Sequence, residues 1–204
     1  MENKNWDKFV YTDNDMAGIT IVKSGNIKIV MHRFLDYKPD KAAEILIVGT
    51  FNPEAKENDA NFFYSRKRNF LWRLLPTAFK EDDLRKATRK EKEDFCSRHK
   101  IAFIDLIEEV KVDMGQEVNY EDAYLDKREI EWTSVIKEIE NLKNLKRVCF
   151  TRTTFADIPN MNKKVLEIQK YCLDNNIKFQ RIITPARYYS IKKQAEWDKF
   201  LLHD

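Results

Sequence analysis

Four apolar residues, Ile45-Leu46-Ile47-Val48, run without interruption into Gly49. A strand with one wet face alternates apolar and polar residues. A short unbroken run that stops at a turn residue marks a strand covered on both faces, as in a parallel sheet. The pattern recurs at Ile101–Ile104 before Asp105, at Val148-Cys149-Phe150 before Thr151, and at Ile182-Ile183 before Thr184-Pro185. Helical stretches lie between these runs. Asn69 to Leu75 carries Trp72 and Leu75, and residues 81–99 are strongly charged with a thin apolar stripe. Val135, Ile139 and Leu142 recur at helical spacing, as do Val165, Ile168 and Cys172; residues 190–202 end in Trp197, Phe200 and Leu201. Strands alternating with helices predict an α/β protein of three layers, a four-stranded, mainly parallel central sheet with helices on both faces.

Upstream, Ile19–Val22 and Ile27–Met31 flank Ser24-Gly25-Asn26 and read as a hairpin. Residues 1–40 are thus an N-terminal arm and hairpin extension of one domain spanning residues 1–204, a length that suits a single core. With 37 basic and 34 acidic residues the net charge is only +3, so any nucleic-acid site must come from local clustering. Cys96, Cys149 and Cys172 lack CxxC spacing, and the three histidines, at positions 32, 99 and 203, are scattered; neither supports a zinc site. No metal or other cofactor is expected. Three free thiols fit a reducing compartment. Met1 to Asp7 are too polar and charged for a signal peptide, and no apolar run approaches the roughly 20 residues that span a bilayer. The expectation is a cytoplasmic monomer without membrane contact.

In a parallel sheet, ligands bind beyond the carboxyl ends of the strands. Here those ends are Gly49-Thr50-Phe51-Asn52-Pro53, Asp105, Thr151-Arg152-Thr153-Thr154 and Thr184-Pro185-Ala186-Arg187. No GxGxxG or phosphate-loop pattern follows the first strand, which excludes a dinucleotide fingerprint there. Asn52 offers a carboxamide for a water or a base edge; alternatively Asn-Pro only makes a turn. The block Asn61-Phe62-Phe63-Tyr64-Ser65-Arg66-Lys67-Arg68-Asn69 sets aromatics beside three consecutive cations. Aromatics stack on bases and cations pair with phosphate, whereas in a purely structural role they would be core and solvated face, with Asn69 capping a helix.

Taken together, the strand ending in Gly49-Thr50-Phe51, then Phe63-Tyr64, Arg68-Asn69 and Trp72, resembles the opening motif of the uracil-DNA glycosylase superfamily, nearest its hypoxanthine (deoxyinosine) branch. His32-Arg33-Phe34, Ile101–Asp105, and Thr184-Pro185-Ala186 with Trp197 are similar to later landmarks of that branch. The chain departs from it at four places: the extra Asn52 before Pro53, Phe63 in a tyrosine pair, Arg66-Lys67 before Arg68-Asn69, and Arg187 for a closing asparagine. Asn52 is instead similar to the catalytic asparagine of the mismatch-uracil type.

The resemblance implies a strand order of 2-1-3-4 and a monofunctional glycosylase of base-excision repair. Such an enzyme flips a deaminated base, uracil or hypoxanthine, out of single- or double-stranded DNA and hydrolyses its N-glycosidic bond. Asn52 or Asn69 would position the water. Asp105 would read the base or activate the water, or merely cap a helix. Phe51, Phe63 and Tyr64 would contact the base. Arg66, Arg68, Arg152, Thr184, Arg187 and Tyr188 would contact DNA. No lysine is placed for a Schiff base, so no lyase step is expected. Two other readings stand beside this one: an inactive superfamily member that binds nucleic acid or a nucleotide, and a hydrolase of free nucleosides.

Overall fold

The computed structural model describes residues 27–202; the expected first hairpin strand, Ile19–Val22, lies outside them. Four parallel strands form the central sheet: β2 (Ile45–Gly49), β3 (Ile101–Asp105), β6 (Arg147–Phe150) and β7 (Lys178–Arg181). Their order is β3-β2-β6-β7, which is 2-1-3-4 along the chain. Every pairing in this sheet is parallel.

The unbroken apolar run of β2 follows from this placement. Leu46 and Val48 enter one core with Ala102, Val148 and Phe150, while Ile45 and Ile47 enter another with Phe103 and Cys149. The first core is closed by α4 (Val135–Asn141) and α5 (Pro159–Asp174). The second is closed by α1 (Leu71–Ala78), α2 (Arg89–His99) and α6 (Ile191–Leu202). A short α3 (Asp122–Leu125) completes the helices of the described residues.

Local chemistry sets the helix ends. Pro76 inside α1 has no N–H to donate to Trp72, and that carbonyl accepts from Leu84 N–H at 2.8 Å instead. The charged stretch 81–99 is helical only from Arg89, because Thr88 and Glu91 form a reciprocal capping box there. Arg147 donates to the Phe200 and Leu201 carbonyls at 2.7 and 3.1 Å, satisfying the C-terminal end of α6.

Two features differ from expectation. The fourth strand is Lys178–Arg181 rather than Ile182-Ile183. It is the sheet edge, so it needs no apolar run on both faces. A second sheet of order β1-β4-β5 is also present, built from β1 (Ile27–Met31), β4 (Ile107–Asp113) and β5 (Ile130–Trp132), all antiparallel. β4 begins two residues after Asp105, so Asp105 caps no helix. Among the described residues no helix is long and apolar enough to cross a membrane.

Candidate functional site

The carboxyl ends of β2, β3 and β6 open into a cleft of about 470 Å³. Into it the chain brings Phe51, Asn52, Tyr64, Arg66, Asn69, Asp105, Arg152, Thr184 and Arg187 from the sequence-derived set. The cleft's charges balance, with Arg66, Arg152 and Arg187 facing Asp105, Glu121 and Asp122. Lys67 and Arg68 are exposed along the adjoining groove, which shares Arg66, Asn69 and Arg187 with the cleft.

Asp105 is 8% exposed and ends β3 beside Gly49. Its Oδ2 lies 2.9 Å from His32 Nε2. An ideal Cβ on Gly49 would run into Asp105 Oδ1 and would stand 2.5 Å from Tyr64 Oη. Glycine is therefore required there so that both side chains can lie against the strand.

Tyr64 has φ 56°, a left-handed conformation uncommon for an aromatic residue. Its hydroxyl is 2.9 Å from Thr151 Oγ1. Burial, and then the charge of Asp105, push its phenol well above the usual range. Arg187, across the cleft mouth, also has positive φ, at 76°.

The orientation of Asn52 follows from its neighbours. Asn58 Oδ1 accepts from Ala60 N–H at 3.2 Å, so Asn58 Nδ2 is the end that reaches the Pro53 carbonyl and Asn52, each at 2.7 Å. Asn52 must answer with its oxygen, which Arg66 also approaches at 3.4 Å. Its Oδ1 is thus filled, and the amide Nδ2 is the end with hydrogen-bonding capacity to offer. Asn69 Oδ1 accepts from Leu71 N–H at 3.0 Å just before α1, a local turn bond rather than the helix cap expected of it, because the N-cap position is Phe70. Asn69 also bridges to Ala186, and Arg187 N–H donates to the Arg68 carbonyl at 2.8 Å, so the two loops are zipped together.

Phe51 lines the cleft, but Phe63 does not. Phe63 is buried among His32, Phe34, Phe62 and Phe103, stacked on Phe103 at 5.5 Å, and belongs to the core. Arg152 is bound internally: it meets Asp122 at 2.6 Å, both Asp157 oxygens at 2.6 and 2.7 Å, and the Thr154 carbonyl at 2.7 Å. Tyr188 is half exposed outside the cleft, with Lys193 Nζ 4.1 Å from its ring centre. Lys193 is buried and donates to the Ala186 and Tyr188 carbonyls at 2.7 and 3.0 Å, holding the closing loop.

Sequence reasoning missed four neighbours. His32 served only as a landmark, 73 positions from Asp105. Thr151 stands at a strand end that was flagged without a role. Tyr120 stacks on Arg66, whose guanidinium carbon is 3.5 Å from the ring centre. Burial lowers the Arg66 pKa, against the raising influence of Tyr120 and Asp105. Asp122 lines the cleft with its carboxyl raised by burial, an effect that Arg152 opposes. Tyr120 and Asp122 lie in a polar loop and at a short helix start, where no periodicity marks them. Among the described residues no group of three or more His, Cys, Asp or Glu side chains is arranged to hold a metal ion.

In fold the chain is similar to a solution NMR structure from Methanosarcina acetivorans, whose protein is provisionally assigned as a uracil DNA glycosylase. The two are 18% identical with a TM-score of 0.54, over 80% of this chain and 92% of that chain. The architecture is thus uracil-DNA glycosylase-like. No protein-family model matches the sequence, and no curated protein matches it either.

Proposed function

We propose that the chain is a monofunctional DNA glycosylase that hydrolyses the N-glycosidic bond of a deaminated base, uracil or hypoxanthine, flipped out of DNA. The observation that carries this reading is Asp105. It is a buried carboxylate at a strand end, with one oxygen held by His32, in a cleft lined also by Tyr64, Asn52 and Asn69. An ionised carboxylate only accepts hydrogen bonds, so it selects a base edge that presents N–H. Uracil N3–H and hypoxanthine N1–H both qualify. Phe51 and Tyr64 give the base apolar surface, and the exposed Lys67 and Arg68 meet phosphate outside the cleft.

Asn52, its oxygen filled, would donate through Nδ2 to the water or the sugar. Asn69 retains one lone pair on Oδ1 beyond its bond to Leu71 and would accept from the water. Neither is a strong base, so their contribution is orientation, in keeping with a cation-like sugar that needs little push from the nucleophile. The fold likeness and the order of motifs support a glycosylase, and the hypoxanthine branch is the nearest in motif.

One observation favours a second reading. The filled Asn52 oxygen and the balanced cleft charge suit a superfamily member that binds nucleic acid or a nucleotide without cleaving it. Base release decides between them. Labelled single- and double-stranded oligonucleotides carrying uracil, hypoxanthine or xanthine are incubated with the protein, then treated with alkali. The glycosylase reading expects cleavage, lowered about 10²-fold or more by Asp105→Ala and less by Asn52→Ala or Asn69→Ala. Binding without cleavage on any substrate would establish the second reading.

A further inference from the structure

We infer that His32 is a positioning residue that makes Asp105 a one-oxygen acceptor and so tunes the cleft to bases that present an N–H edge; the inference rests on the function proposed above. Phe34 N–H points at His32 Nδ1 at 3.1 Å. A backbone N–H can only donate, so Nδ1 carries a lone pair and the ring's proton sits on Nε2. That proton is directed at Asp105 Oδ2, 2.9 Å away. The tautomer is thus fixed by geometry, and His32 can only donate to the carboxylate.

The ring has little freedom to do otherwise. It is 6% exposed and walled by Phe34, Phe51 and Phe63, with centroids 5.5 to 6.0 Å away. Its backbone is pinned on two sides: His32 N–H donates to the Glu108 carbonyl at 2.8 Å, and Arg33 N–H donates to the Asn52 carbonyl at 2.8 Å. The same short segment therefore touches the chain just after Asp105 and the loop that carries Asn52.

The consequence falls on the other carboxylate oxygen. With Oδ2 committed to His32, Oδ1 lies against Gly49 beside the Tyr64 hydroxyl and is the oxygen left for a ligand. The torsion of an aspartate carboxyl group is broad, so without the His32 bond the group would rotate. That change would blur recognition of an N–H edge.

Two substitutions separate this role from a purely structural one. In His32→Gln, a side-chain N–H₂ reaches the Nε2 position and donates to Asp105. In His32→Asn, an oxygen near the Nδ1 position keeps the bond from Phe34 but does not reach Asp105. Positioning expects base release by the Gln variant within about 10-fold of wild type and by the Asn variant about 10²-fold lower, the loss falling in kcat while KM for the oligonucleotide stays close. A structural role predicts the reverse order.

Two NMR measurements need no activity: ¹⁵N shifts of the His32 ring nitrogens in the wild type, and the Asp105 carboxyl ¹³C signal in all three proteins. The expected result is a protonated Nε2, and an Asp105 signal kept by the Gln variant and shifted by the Asn variant. A protonated Nδ1 in the folded wild type, or an Asp105 signal indifferent to both substitutions, overturns the inference. Absence of base release with the expected spectra would instead defeat the glycosylase reading and leave the His32–Asp105 arrangement standing.

Discussion

Gly49→Ala is the sharpest probe of the cleft floor, because the sign of its effect is diagnostic. Gly49 lies in β2 with ordinary strand conformation, which alanine adopts without strain. From chain entropy alone the substitution would stabilise the protein by about 0.4–1 kcal/mol. The new methyl would, however, stand 2.5 Å from Tyr64 Oη and 3.1 Å from Tyr64 Cζ, and would meet Asp105 Oδ1 directly. Ordinary contact is about 3.5–4 Å, so both side chains must retreat by about 1 Å. Each is tied behind, Asp105 to His32 and Tyr64 to Thr151, both at 2.9 Å. Overpacking costs about 1–3 kcal/mol. Weakening a neutral hydrogen bond costs about 1 kcal/mol and a charge-assisted one about 2 kcal/mol. The expected net loss is about 2–5 kcal/mol, a fall in Tm of about 5–15 °C for a chain of this size. Thermal and urea unfolding followed by circular dichroism measure it. In a Tyr64→Phe background, which lacks Oη, the same substitution should cost less, with a coupling of about 0.5–3 kcal/mol. An alanine variant that melts at or above the wild-type temperature would refute the crowded floor, as would strict additivity with Tyr64→Phe.

Two more predictions concern buried lysines. Lys193→Met keeps the bulk but removes the ammonium that donates to the Ala186 and Tyr188 carbonyls, leaving Ala186 only its bond from Tyr188 N–H at 3.1 Å; it should cost about 2–3 kcal/mol and speed hydrogen exchange at Arg187 N–H and Tyr188 N–H, and unchanged protection there would count against the latch. Lys92 is wholly buried, bonded to Asn61 Oδ1 and Ser65 Oγ at 2.7 and 2.8 Å, and burial lowers its ammonium pKa from 10.5 to about 8. Between those two values the unfolded chain binds more protons than the folded one, so this group's contribution to stability rises with pH across that window and is constant below it. Urea unfolding of wild type and Lys92→Met at pH 7, 9 and 10 should show wild type gaining on the variant as pH rises; a flat difference would contradict the shift.

How much was legible in the sequence depended on how local the cause was. β2 was legible because burial on both faces writes an unbroken apolar run, and its stop at Gly49 marked the cleft. Asp105, Asn52 and Asn69 were legible for the same reason, as polar residues at the ends of such runs or at a helix start. The second sheet was not. β4 reads Ile-Glu-Glu-Val-Lys-Val-Asp, and a register irregularity between Ile107 and Glu109 breaks the two-residue alternation that would have announced it. β5 has only three residues, too few for a pattern. Phe63 was misplaced because an aromatic beside a cleft loop and an aromatic under it look alike in sequence, and only the path of the chain through Tyr64's left-handed turn separates them. Arg152 looked like a free cation at a strand end; its partners Asp122 and Asp157 lie 30 positions before it and five after it, beyond what spacing shows.

The missed sheet matters most because it builds the site. After Asp105 the chain makes one residue of connection, with Leu106 N–H bonded to the Gly49 carbonyl and Ile107 N–H to the Thr50 carbonyl, and then bends into β4. β4 pairs with β1 in a register that sets Met31 against Glu109. The ladder ends there, and His32, the next residue, bonds the Glu108 carbonyl, three residues past Asp105, through its N–H and bridges to Pro53 on its other side. A strand presents alternate residues to alternate faces, so a slip of one position would turn His32 away from Asp105. The antiparallel register therefore does for His32 what the parallel register of β2 and β3, Gly49 against Asp105, does for the carboxylate. Each sheet contributes one half of the pair, and the Asp105-Leu106-Ile107 bend joins the sheets directly. That bend is fastened to the carboxyl end of β2 itself, which fixes the two halves relative to Gly49, while the His32–Pro53 bridge and the Arg33–Asn52 hydrogen bond tie the histidine to the loop that follows β2.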